Sequence, residues 1–252
     1  MLPSIGRLRT GALSVPSPLA GEGQGEGYPT RGLWSWHPLP RPFPARGKGA
    51  EPGRSLMRIV GGRLKGRNLA SPSSREIRPT ADRLRESVFN ILIHAYDDPI
   101  QDARVLDLFA GTGALGIEAV SRGAKFTLFV DNGAEARALL RNNVEALGLG
   151  GVTKVYRRDA TNLGPAHPVE PFSLVFLDPP YAKKLAEQAL ASLRDGGWLT
   201  PTALLVVEEA KAAEFLAPDG FTELERRVYD DTEFTFLRRS LNPQSPKQGK
   251  QE

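Results

Sequence analysis

The 252-residue sequence has no cysteine and only three histidines. Disulfides and thiolate metal sites are therefore excluded. The histidines lack metal-ligand spacing, so no metal is expected. No apolar run approaches the roughly 20 residues that a membrane-crossing helix needs. The N-terminus lacks the apolar core of a secretory signal. A monomeric cytoplasmic protein with no membrane partner is the expectation.

Charge is present but unevenly placed. Residues 1–56 hold seven basic and three acidic side chains, which accounts for the whole formal net charge of +4. The rest of the chain is balanced. Within it, Met57 to Arg85 carries eight basic residues against Glu76 and Asp82. A basic arm on a balanced domain is a plausible footprint for phosphates, with a solvated basic face as the bland alternative.

Residues 1–56 are rich in glycine and proline, as in Gly21-Glu22-Gly23-Gln24-Gly25-Glu26-Gly27 and Pro38-Leu39-Pro40-Arg41-Pro42. No helical or strand period survives there, so the segment is expected to be disordered. It resembles translated repetitive intergenic DNA, which makes Met57 the expected initiator. A genuine tail with Trp34 and Trp36 as docking residues is the alternative. Residues 240–252 are polar and expected to be disordered too.

Between these ends the pattern is regular. Arg58–Val60 and Arg63–Leu69 predict a small hairpin around Gly61-Gly62, within a basic arm over 57–79. Pro79-Thr80 predicts a helix start with Thr80 as N-cap, followed by the apolar stripe Leu84, Val88, Ile91, Leu92 and Ala95. Strands are predicted at Arg104–Leu108, Phe126–Val130, Thr153–Tyr156, Ser173–Leu177 and Ala203–Val207. Helices are predicted at Ala114–Arg122, from Asn132 to near Gly148, and at Lys183–Leu193. Asn132 with Glu135 reads as a capping box. Phe221–Val228 and Glu233–Leu237 predict a terminal antiparallel pair. Alternation of this kind gives an α/β domain over 80–239, with a mainly parallel sheet and helices on both faces.

Four constellations carry chemistry. Asp107-Leu108-Phe109-Ala110-Gly111-Thr112-Gly113 is a strand end, a glycine-rich turn and a helix start. Gly111 and Gly113 allow a tight turn and close ligand approach, and Phe109 and Ala110 belong to the same cradle. Asp107 would repel a pyrophosphate and attract the ammonium of an amino-acid-bearing cofactor. S-adenosylmethionine is therefore favoured over NAD. Asp131, 24 residues later, is placed to hold ribose hydroxyls, with Asn132 beside it. Asp159-Ala160 follows the next strand and suits the adenine ring. Asp178-Pro179-Pro180-Tyr181 is the most specific signal. Two prolines fix the backbone and leave carbonyl oxygens free. Asp178 and a proline carbonyl can accept from one exocyclic NH2, and Tyr181 offers a ring to stack on an extruded base.

These motifs resemble class I methyltransferases that act on base amino groups. Arg58-Ile59-Val60-Gly61-Gly62, Lys65-Gly66-Arg67, Arg78-Pro79-Thr80-Ala81-Asp82-Arg83-Leu84-Arg85-Glu86 and Phe89-Asn90 further resemble the RsmD family. That resemblance implies a Rossmann-like fold with a seven-stranded sheet and methylation of guanine N2 in 16S ribosomal RNA, naked or in a small-subunit assembly intermediate. It also implies RNA contacts from Arg58, Arg63, Lys65, Arg67, Arg78 and Arg83. The catalytic motif alone would equally serve an adenine-N6 or cytosine-N4 DNA methyltransferase. A non-catalytic cofactor-binding assembly factor is the rival of another class.

Overall fold

The computed structural model describes residues 57–72, 79–180 and 184–240. All of them fall within one compact unit, Gly49–Glu252. The readings placed on 1–56, Arg78, Tyr181 and 241–252 lie outside the described residues, as do the side chains of Pro79 and Thr80.

The chain runs β1 (Met57–Arg58), β2 (Asn68–Leu69), α1 (Pro79–Ala95), β3 (Arg104–Leu108), α2 (Ala114–Ser121), β4 (Phe126–Val130), α3 (Ala134–Ala146), β5 (Thr153–Tyr156), β6 (Phe172–Leu177), α4 (Leu185–Asp195), β7 (Leu199–Ala210), β8 (Phe221–Tyr229) and β9 (Thr232–Arg239). Seven strands form one sheet in the order β5-β4-β3-β6-β7-β9-β8. The first five are parallel, and β9 enters antiparallel between β7 and β8. The expected sheet and its terminal antiparallel pair are thus observed.

Both faces of the sheet are covered, which is why its strands read as apolar runs with little alternation. On one face Leu106, Leu108, Val175, Leu177, Leu205 and Val207 pack against α4 and the buried Trp198. On the other, Val105, Phe176 and Val206 meet Val88, Phe89 and Leu92 of α1. Ile117 of α2 and Leu140 of α3 join Phe129 on that same side, together with Leu69 of β2 and Ile59, which follows β1.

Several expectations need correction. The hairpin strands are only two residues each, because Gly62–Leu64 forms a 3-10 turn where a tight two-residue turn was expected. Thr80 lies inside α1, which begins at Pro79. The apolar stripe of that helix includes the fully buried Phe89 and leaves Ala95 exposed. No capping box forms at α3: its N-cap is Gly133, with no side-chain cap. Asn132 and Glu135 are exposed, and Asp131 takes the Gly133 N–H instead, at 2.7 Å. The helix expected at Lys183–Leu193 is α4, two residues further along; Lys183 lies outside the described residues. β7 is far longer than Ala203–Val207, because its pairing with β6 jumps from Phe172↔Leu199 to Leu174↔Leu204. That irregularity bulges Pro201 and Thr202 into solvent.

Candidate active site

The site is built on the carboxyl ends of the parallel strands, where open α/β sheets bind ligands. β3 is an apolar strand that ends in a left-handed turn. Phe109, Gly111 and Gly113 have φ of 58°, 55° and 80°. At Gly113 that φ strains any other residue, and a Cβ would also lie 2.3 Å from Leu140 Cδ1 and force it to move. Asp107 is buried beneath the turn, and its Oδ2 accepts from the Gly116 N–H at 2.9 Å. Burial pushes the Asp107 carboxyl well above the usual range, with the Asp178 and Asp131 carboxylates adding to the effect and the Gly116 amide opposing it. Asp131 Oδ2 accepts from Gly111 N–H at 2.9 Å, tying the second strand end to the turn. A carboxylate oxygen has a second lone pair, so both acids can still accept from a ligand.

Asp178 follows β6, and its N–H reaches Leu108 O at 3.4 Å. It is exposed, Pro179 is buried and Pro180 is exposed. Asp131, Asp107 and Asp178 therefore stand in a row across three adjacent strands, β4, β3 and β6. Asp159 is exposed, and its Oδ1 accepts from Thr161 N–H and Oγ1 at 2.9 and 2.7 Å, while Ala160 is buried behind it. The donor chemistry fits S-adenosylmethionine. A row of carboxylates beside a glycine-cleared turn suits a ligand with an ammonium, a sulfonium and hydroxyl donors, and repels a pyrophosphate.

The basic hairpin docks firmly beside this site. The Val60 N–H donates to Glu118 Oε2 at 2.9 Å, and Ser121 Oγ donates to Gly61 O at 2.6 Å. Asn143 of α3 accepts from Ala70 N–H at 2.7 Å, and its Nδ2 donates to Ala70 O and to Thr112 O at 3.1 and 2.9 Å. Arg63, Lys65, Arg67 and Arg83 are exposed. Arg58 is exposed as well, 3.7 Å from Asp82. Arg85, counted among the eight basic residues of the arm, is buried and instead joins Asp82, the Arg58 carbonyl and Glu118.

Residues 57–238 match the family model described as conserved hypothetical protein 95. The chain belongs to this family. Among conserved hypothetical protein 95 relatives, "Ribosomal RNA small subunit methyltransferase D" of Escherichia coli is 39% identical over 156 residues, covering 62% of this chain and 76% of its own. The protein of the same name in Haemophilus influenzae is 35% identical over 174 residues, covering 68% of this chain and 88% of its own. Among solved structures, the Escherichia coli methyltransferase candidate yhhF superposes with a TM-score of 0.63 at 32% identity, covering 75% of this chain and all of that one. The resemblance read from the motifs holds, and the fold is the Rossmann-like methyltransferase fold.

Three residues that shape the surroundings of the site escaped the sequence reading. Asn143, which bridges the hairpin to the glycine turn, looks like any polar helix residue. Glu118 lies in an apolar helix, where a lone acid signals a buried partner. Glu208, which feels the Asp178 carboxylate, closes the apolar run Ala203–Val207 within β7. That is the signature already used for Asp107, Asp131 and Asp178.

Proposed function

We propose that the chain transfers a methyl group from S-adenosylmethionine to the exocyclic N2 of a guanine in 16S ribosomal RNA, naked or partly assembled. The observation that carries this reading is the row of strand-end acids beside an exposed basic hairpin. Carboxylates suit a cationic cofactor and a base amine, whereas Arg58, Arg63, Lys65, Arg67 and Arg83 suit phosphates. The names of the relatives cited above support an RNA substrate of the small ribosomal subunit.

When bound, the cofactor supplies an electrophilic methyl group on sulfur. Asp107 and the Gly111–Gly113 turn orient its amino-acid end, Asp131 its ribose, and Asp159 with Ala160 its adenine. Asp178 and the Pro179 carbonyl accept from the two N–H bonds of the target amine, directing its lone pair at the methyl. As the C–N bond forms and the C–S bond breaks, the thioether would leave and positive charge would grow on that nitrogen, where Asp178 stabilises it electrostatically before the surplus N–H proton passes to Asp178 or to water. Tyr181 supplies the ring on which the extruded base stacks. Arg78 extends the phosphate-binding set.

The test uses the full chain, cofactor carrying a labelled methyl, and 16S rRNA from a strain lacking this modification. Labelled N2-methylguanosine in the nucleoside digest is the expected result. Label on DNA adenine or cytosine, or cofactor binding with no transfer to any RNA, would overturn it in favour of a DNA methyltransferase or an assembly factor.

A further inference from the structure

We propose that Glu208 is a specificity residue that accepts the N1–H of the target guanine beside the N2 amine held by Asp178. The inference rests on the reading of the site given above and deepens it. In the parallel pair β6/β7, Leu177 lies opposite Val207. Asp178 is the first residue past β6 and Glu208 is the next residue of β7, which runs on to Ala210, so the two follow the last paired residues side by side, with a strand spacing of about 4.8 Å. Side chains alternate faces along a strand. Phe176 and Val206 both face α1, so alternation along β7 turns Glu208 to that face, where it feels both Arg85 of α1 and the Asp178 carboxylate.

Two carboxylates held side by side repel one another. Glu208 is half-buried, which adds a desolvation cost to that repulsion. Burial and the Asp178 carboxylate raise its pKa, and Arg85 of α1 opposes them. Such a pair is relieved by a ligand that presents two adjacent hydrogen-bond donors. The base edges differ in this respect. Guanine offers N1–H next to the N2 amine. Adenine and cytosine each place an unprotonated ring nitrogen next to the exocyclic amine. That nitrogen is an acceptor, and an ionised carboxylate facing it is repulsive, so the acid pair selects against both bases when Arg85 and the guanine N1–H hold Glu208 in its ionised form. The same motif that serves any base amine becomes guanine-selective through its neighbour on β7.

The test compares substrate atoms as well as protein variants. 16S rRNA is prepared with guanosine or with 2-aminopurine riboside at the methylated position. 2-Aminopurine keeps the N2 amine but has no N1–H. Single-turnover transfer is measured for wild type, Glu208→Gln and Glu208→Asp, with cofactor binding followed by calorimetry. Wild type should prefer guanosine by about 10–100-fold, the effect of one hydrogen bond to a charged group. Glu208→Gln can donate from its amide to the unprotonated nitrogen, so the preference should shrink to within about threefold. Taking the ratio between variants removes the effect of the missing O6, which all of them share. Glu208→Asp keeps the charge but pulls the oxygens back, so it should slow guanosine without improving 2-aminopurine.

An unchanged preference in Glu208→Gln, with cofactor affinity intact, would overturn the assignment. So would equal wild-type rates on the two bases, and that outcome decides the matter even if the variant does not fold. Failure of wild type to methylate guanosine at all would instead sink the proposed function itself.

Discussion

Glu209 offers a test that needs no substrate. It is only 4% exposed, on the opposite face of β7 from Glu208, and its Oε2 has no hydrogen-bond partner. Burial, the Glu187 carboxylate and Asp178 raise its pKa from 4.5 to about 7, against the pull of the Ala210 amide. A carboxyl that holds its proton more tightly in the folded state stabilises the fold least when it is ionised. Below about pH 4.5 both states are protonated and the effect vanishes. Between 4.5 and about 7 the unfolded chain releases the proton first and stability falls; above that range the full penalty applies. At face value the shift is worth about 3 kcal/mol. Water screens the exposed Asp178 and partly exposed Glu187 carboxylates, which reduces this to about 1.5 kcal/mol. Glu209→Gln removes the titration. Its melting temperature relative to wild type should therefore be about 3–6 °C more favourable at pH 8 than at pH 4, given the size of the domain. Any fixed cost of burying the amide cancels in that comparison. Differential scanning calorimetry at the two pH values decides it. An offset that is the same at both, or that moves in favour of wild type as pH rises, refutes the argument.

Asp178→Ala should slow transfer by about 10²–10³ while leaving cofactor affinity nearly intact, and Asp178→Asn should retain more activity than Ala. Single-turnover rates set beside calorimetry check both, and a wild-type rate for Asp178→Ala would remove this motif from the chemistry. Asp107→Ala should instead weaken cofactor binding, and calorimetry showing unchanged affinity would count against its role. Replacing Arg63, Lys65 and Arg67 together by Ala should weaken RNA binding and reduce the salt slope by roughly 2–3, measured by titration at several ionic strengths; an unchanged slope would clear the hairpin of RNA contact. A chain beginning at Met57 should be folded and active, as circular dichroism and methyl transfer would show; an inactive shortened chain beside an active full-length one would refute this.

The central strands were legible because their apolar runs are sharply bounded. Arg104–Leu108, Phe126–Val130 and Thr153–Tyr156 are observed as read, each closed by an acid, a glycine turn or an arginine pair. Asp107, Asp131 and Asp178 were legible as a set because each ends such a run. What failed depends on partners distant in sequence. Asn132 has the chemistry of a cap, but Asp131 is better placed and ties Gly111 as well. Thr200, Pro201 and Thr202 look like a loop and are carried inside β7 only because Phe172↔Leu199 pairs below the bulge. Arg85 reads as one more charge of the arm, yet Glu118 and Asp82 draw it into the interior. Local pattern predicts none of these, since each depends at least in part on tertiary pairing, with Gly111, Phe172 or Glu118.

Asn143 holds the backbone on both sides of a divide, with Ala70 following the hairpin and Thr112 in the glycine turn. A ligand that shifts either segment alters the hydrogen bonds that restrain the other. If the chain binds both ligands as proposed, its cofactor and RNA affinities are expected to be coupled. By thermodynamic reciprocity, the factor by which RNA tightens or loosens the methyl donor must equal the factor by which the donor changes the hold on RNA. A dissociation constant measured for either ligand alone therefore describes only one corner of a four-state cycle. Asn143→Ala should move the two binary affinities and the ternary affinity by different amounts.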